Sequence, residues 1–143
     1  MDNRLLKIMV KLLLPFIQVY GVFIILHGHI TPGGGFSGGA ILGASLILYS
    51  LTFGPHETEK IFPEHVSKWA ESGGALTYIV IGLIGVFAGV GFLANRAAGF
   101  SLGTPGALMS AGMIPLLMIA IGIKVGSTLM TLFTSLLEGD VDE

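Results

Sequence analysis

The sequence predicts an all-α integral membrane protein, a bundle of four transmembrane helices with a Gly-rich connection between the first two. Three observations predict it. Of 143 residues, 52% are hydrophobic and 11% are charged, where a soluble domain carries about 25% charged residues. Mean hydropathy is +0.85. The apolar residues also gather into four runs, three near the roughly 20 residues that cross a hydrocarbon core and the fourth longer than one crossing needs. In lipid an isolated strand would leave its backbone groups unpaired, so each run is predicted helical. Residues 1–143 are read as a single membrane domain.

The first span is predicted at 12–30. The preceding "MDNRLLKIMVKLLLPF" has basic and then apolar residues, as a signal peptide does. No small-residue cleavage site follows it, so it is read as a retained span. The second span is predicted at 36–53, the third at 74–94 and the fourth at 107–137. Residues 54–72 hold Glu57, Glu59, Lys60, Glu64, Lys68 and Glu71 and are read as a solvated loop. Within it, "PEHVSKWAES" is suited to a short amphipathic helix with Trp69 at the interface. The tail "EGDVDE" is acidic and is expected to be mobile.

Lysine and arginine placement sets orientation. Arg4, Lys7, Lys11, Lys60 and Lys68 fall on one side of the predicted spans and Arg96 on the other. Both termini and the middle loop are therefore expected in the cytoplasm of a multi-pass cell-membrane protein. A net charge of −2 without a basic stripe beyond the N-terminal segment argues against a nucleic-acid partner. With no cysteine, disulfide and thiolate chemistry are excluded.

Small residues recur at four-residue spacing: Gly35, Gly39 and Gly43; Gly85 and Gly89; Gly122 and Gly126. Glycines at i and i+4 share a helix face and admit a neighbouring backbone. Three such rows predict packing against other membrane proteins; packing within the chain is the plainer alternative.

The stretch "HGHITPGGGFSGG", His27 to Gly39, holds six glycines and two histidines between apolar runs. Gly33, Gly35 and Gly38 fit G-x-G-x-x-G, but a dinucleotide site needs a strand before them. Here a membrane span and Pro32 precede them. No cofactor is called for. His27 and His29 would point about 200° apart on a helix, so they do not share a metal there. Two roles stay open for them: imidazoles bonded to local carbonyls, or a proton relay, since histidine titrates near neutral pH. Pro32 and Gly33-Gly34-Gly35 break any helix and form either an exterior turn or a packed re-entrant element, with Phe36 as its anchor.

Lys124 lies in "IPLLMIAIGIKVGSTLMTLF", with 17 uncharged residues before it from Ala107 and 13 after it to Leu137. An ammonium in mid-membrane costs several kcal/mol, so it should face a polar cavity or a carboxylate. The alternative ends the span near Lys124, which snorkels, and makes the following residues an interfacial helix. Pro115 is placed to kink the fourth helix. No Asp or Glu is expected inside the four spans, so hydroxyls such as Thr31 and Thr128, the histidines and Lys124 are what the chain contributes to a cation or proton path. Missing carboxylates would come from other polypeptides. No nucleophile–base pair or carboxylate pair suggests an enzyme.

The runs "PFIQVYGVFIILHGHITPGGGFSGGAI" and "IPLLMIAIGIKVG" resemble the MrpB/MnhB family, which belongs to the Mrp-type multisubunit sodium/proton antiporters. The resemblance covers nearly the whole chain; the middle loop carries no signature. It implies an accessory membrane subunit of a complex that exchanges sodium for protons, with the other antiporter subunits, membrane lipids, Na+ and H+ as partners. His27, His29, Thr31, Pro32, Gly33, Gly34, Gly35, Phe36, Gly38, Gly39, Pro115 and Lys124 sit in the recognisable runs. On this reading Lys124 pairs with a partner's carboxylate, His27 and His29 are second-tier candidates for proton relay or gating, and the glycines let a neighbouring helix or a cavity approach the backbone. The alternative is a purely structural scaffold of that complex or of a related energy-converting hydrogenase membrane arm.

Overall fold

The computed structural model describes residues 3–108 and 110–139. It is all-helical among them: α1 (Arg4–Leu26), α2 (Gly35–Phe53), a short α3 (Pro55–Ile61), α4 (Glu64–Phe87) and α5 (Ile114–Gly139), with one 3₁₀ turn at Arg96–Ala98. All but α3 are long and apolar enough to cross a membrane.

Helix α2 packs against both α1 and α5, and α5 packs against both α2 and α4. The four long helices therefore follow the order α1–α2–α5–α4. Gly21 and Ile25 of α1 meet Leu42 and Gly38 of α2 in descending order, so these two are antiparallel. Gly35, Gly39 and Gly43 meet Met118, Gly122 and Gly126 in ascending order, so α2 and α5 are parallel. Ser67 and Glu71 of α4 reach Thr131 and Thr128 of α5, so α4 and α5 are antiparallel. The start of α1, α3 and the end of α5 thus share one end, called the α3 end below. Residues 27–34, 88–108 and 110–113 share the other, the loop end.

Glycine holds the central pair together. A Cβ on Gly39 would stand 2.5 Å from the Gly122 carbonyl oxygen, and one on Gly43 would stand 3.1 Å from that of Gly126. Two of the three predicted small-residue rows are consequently used against each other inside the chain, which removes them as evidence for outside partners. The third is no continuous helix row: α4 ends at Phe87, and Gly89 lies beyond it with φ +75°.

Helix ends depart from the predicted spans for physical reasons. Helix α1 begins at Arg4 because Arg4, Leu5, Leu6 and Lys7 are good helix formers, although charge lowers their hydropathy. Pro15 therefore lies inside the helix and leaves the Lys11 carbonyl without its usual donor. The segment read as a solvated loop is mostly helix. Pro55 opens α3, and "EHVSKWAES" is the continuous start of α4, not a separate amphipathic helix. Glu64 suits that start through the helix dipole and its i,i+4 pairing with Lys68. Helix α5 starts at Ile114, after Gly106 and Gly112 with φ of +89° and +68°. Of the acidic tail, residues 140–143 lie outside the described residues.

At the loop end, residues 88–108 and 110–113 fold back over α4. Ile81, Met113 and Leu117 form a buried apolar cluster, with Tyr78, Leu93 and Phe100 packed on it. Asn95 clamps the loop: its Nδ2 donates to the Ala111 carbonyl at 2.8 Å, and its Oδ1 accepts the Met113 N–H at 3.2 Å. That clamp holds Ala111 at φ +68°, a conformation unusual outside glycine.

Candidate functional site

The histidine–glycine segment is a compact turn. His27 caps α1: its backbone N–H and its ring Nδ1 both reach the Phe23 carbonyl oxygen, and its ring stacks on Phe23 at 4.1 Å. Thr31 Oγ1 donates to the His27 carbonyl at 3.1 Å. His29 Nε2 lies 3.1 Å from the carbonyl oxygen of Ala107, so Nε2 carries the donated proton. This bond ties the two connections of the loop end together. The other nitrogen, Nδ1, is buried without a partner in this chain among the described residues.

Pro32 leads into Gly33 and Gly34, with φ of +141° and +94°, where an L side chain is strained. Gly34 precedes α2, and the Gly35 N–H points at Met118 Sδ, 3.1 Å away. Gly38 faces α1 and Gly39 faces α5. Phe36 is no anchor in this chain: it is 68% exposed, because the glycines around it occupy the faces that touch α1 and α5. Pro115 lies in the first turn of α5, where no preceding turn exists to be kinked and its missing N–H is unneeded.

Lys124 lies well inside α5, which continues unbroken to Gly139. The helix does not end at this lysine. Its Nζ stands 4.0 Å from Glu71 Oε1, an ion pair too long for a hydrogen bond. Thr128 Oγ1 donates to the same carboxylate oxygen at 2.9 Å. Glu71, read from sequence as a loop residue, is about two turns into α4. The chain thus brings a carboxylate of its own to Lys124, where the sequence alone points to one from a partner. Close approach is possible because Gly74 has no side chain: a Cβ there would lie 3.0 Å from Lys124 Cβ.

One turn toward the α3 end, buried Ser67 reaches Thr131 Oγ1 at 2.8 Å and the Ser127 carbonyl at 3.2 Å. Sequence reasoning missed Ser67 and Glu71. The signal was their spacing, since Ser67, Glu71 and Gly74 fall at i, i+4 and i+7 on one helical face.

The structure does not unite all the predicted site residues. Gly35 is level with Met118, and Lys124 is six residues farther along α5, about 9 Å by helical rise. His27, His29 and Thr31 sit at the loop end, while Lys124 turns toward α4. The site divides into a structural turn and a separate charged seam between α4 and α5.

Residues 5–131 match the family model described as a domain related to the MnhB subunit of Na+/H+ antiporter. An uncharacterized protein of Methanocaldococcus jannaschii is 40% identical over 114 residues, covering 78% of this chain and 43% of that protein. The "Putative antiporter subunit mnhB2" of Staphylococcus haemolyticus is 29% identical over 97 residues, 68% of each chain. Among solved structures, a chain of the membrane-bound sulfane sulfur reductase (MBS), an archaeal respiratory membrane complex, matches with 37% identity and a TM-score of 0.65, covering 85% of this chain and 52% of that one. This chain therefore spans less than half of the archaeal relative and about half of the reductase chain. A family match over most of its length, on a fold of four apolar helices, makes this chain a member of the family of domains related to the MnhB subunit of Na+/H+ antiporters.

Proposed function

We propose that this protein is an accessory membrane subunit of a multisubunit sodium/proton (monovalent cation/proton) antiporter, contributing to subunit interfaces and to the ion path. The observation that carries the reading is the Lys124–Glu71 pair. Their side chains are 43% and 33% exposed in the isolated chain, on helices apolar enough to cross a membrane. Lipid solvates neither charge, so a neighbouring subunit or a wet cavity must cover that flank. Lys124 is the positive charge beside which a neighbour's carboxylate would stay ionised. His27, His29 and Thr31 are second-rank proton-relay candidates at the loop end. Both termini are assigned to the cytoplasm on the lysine and arginine distribution.

A second reading is a purely structural scaffold, in such an antiporter or in the membrane arm of a respiratory complex. The likeness to the reductase chain favours keeping it. Measuring complex yield and cation-driven proton movement separately, for substitutions at His27, His29 and Lys124, separates the two. Activity lost at normal yield supports the ion path. Activity falling only in proportion to yield supports the scaffold.

A further inference from the structure

The polar seam between α4 and α5 has a direction. At the α3 end, a cavity of about 640 Å³ is lined by Ser67, Thr131, Thr134, Glu59, Glu64 and Glu138, among others. Ser67 and Thr131 are bonded to each other, and Thr131 Oγ1 also lies 3.0 Å from the Ser127 carbonyl oxygen. One turn deeper, about 5.4 Å along the axis, stand Thr128 and Glu71; Lys124 is a further turn along α5, with its Nζ 4.0 Å from Glu71 Oε1. Beyond them the character changes. The groove between α4 and α5 continues past Gly74, Ala120 and Ile81, and its hydroxyl is that of Thr77, which donates to the Gly73 carbonyl of its own helix. The Ile81–Met113–Leu117 cluster then closes the loop end.

Resting on the membrane-subunit reading above, we infer that Glu71 is a proton-exchanging carboxylate reached from the α3 end through Ser67 and Thr131, and closed toward the loop end. A hydronium in the cavity gives up its proton and becomes water. The proton passes along the two hydroxyls, each accepting one proton and releasing another, and a water spans the remaining turn. It arrives on a Glu71 carboxylate oxygen, which becomes the neutral acid. Lys124 keeps its protons throughout and loses its counter-anion for as long as Glu71 is neutral. With the apolar cluster on one side, onward transfer goes sideways, across the exposed flank to a group on a neighbouring subunit. Among the described residues, Lys124 of α5 is the charged group paired with Glu71; Lys68, three residues earlier on α4, is engaged with Glu64, and Glu138 of α5 lines the cavity. His56 and Glu59 of α3 line the cavity, and α2 carries no acidic or basic side chain.

The test uses the assembled complex and two readouts. Dicyclohexylcarbodiimide reacts with protonated carboxyls in apolar surroundings. It should label Glu71 at low pH and lose that label as pH rises; Glu71→Gln should abolish the label and Glu71→Asp retain it. An unlabelled Glu71, or a label indifferent to pH, overturns the inference. The route is tested with Thr134→Cys in this cysteine-free chain, modified by a bulky impermeant maleimide from the α3 side. Transport should fall about tenfold, one decade of rate, while the same treatment of Thr104→Cys at the loop end leaves it unchanged. Unaltered transport after modification of Thr134→Cys overturns the route. Labelling is read without transport. An unlabelled Glu71 in a transporting complex therefore defeats only this inference, and a complex that moves no cation defeats the antiporter reading.

Discussion

Lys124 Nζ of α5 and Glu71 Oε1 of α4 stand 4.0 Å apart, with Thr128 donating to the same carboxylate oxygen. A cation and an anion from two apolar helices thus share one seam. Removing either partner leaves the other charge alone, which is strongly destabilising where water is excluded. Lys124→Glu or Glu71→Lys alone, which sets two like charges side by side, should lower complex yield. The double exchange should restore much of it, with a coupling of about 0.5–3 kcal/mol in thermal denaturation of the purified complex. Additive losses would show that the two charges do not interact.

Glycines on different faces should respond oppositely to a methyl group. At Gly39 a Cβ meets the backbone of Gly122, which cannot swing aside. Gly39→Ala should destabilise by about 1–3 kcal/mol through overpacking. At Gly73 nothing lies within 4 Å, so Gly73→Ala should leave the fold intact and favour its helix by roughly 0.5–1 kcal/mol. Denaturation midpoints of the two variants in the same detergent check the contrast.

His29 is predicted to act first as a tie. His29→Ala removes the donor to the Ala107 carbonyl, at a cost of about 0.5–1.5 kcal/mol. His29→Gln places an amide N–H near the same position and should recover most of the loss. Hydrogen exchange across residues 99–113 should rise in the first variant and return toward normal in the second.

Asn95 makes a parallel prediction for the same end. Its amide holds Ala111 and Met113 together. Asn95→Ala should cost about 1–3 kcal/mol by leaving partly buried backbone groups unpaired. Ala111→Gly in that background should return part of the stability, because glycine needs no clamp to hold φ +68°. Proteolysis of the 88–113 connection reads both.

The four membrane-crossing helices were legible because apolar runs of that length have few other physical solutions. Their ends were less so. Arg4 to Lys11 carry charge yet favour helix, and Gly89, Gly106 and Gly112 take positive φ, which hydropathy does not register. Lys124 stood out as a lone cation. Glu71 did not, because five other charged residues surround it between Gly54 and Ser72; only helical phase from Glu64 onward sets it opposite Lys124. Asn95 gave no signal, since its partners lie 16 and 18 residues away. Gly35, Gly39 and Gly43 announced a close helix contact without saying whose helix, and the structure gives them α5.

The decisive measurement is cation-driven proton exchange in proteoliposomes holding the purified complex with Lys124→Ala, compared with wild type at equal subunit content. Exchange per assembled complex should fall by about tenfold or more. Full exchange from an assembled Lys124→Ala complex would contradict a role for the α4–α5 seam in the ion path.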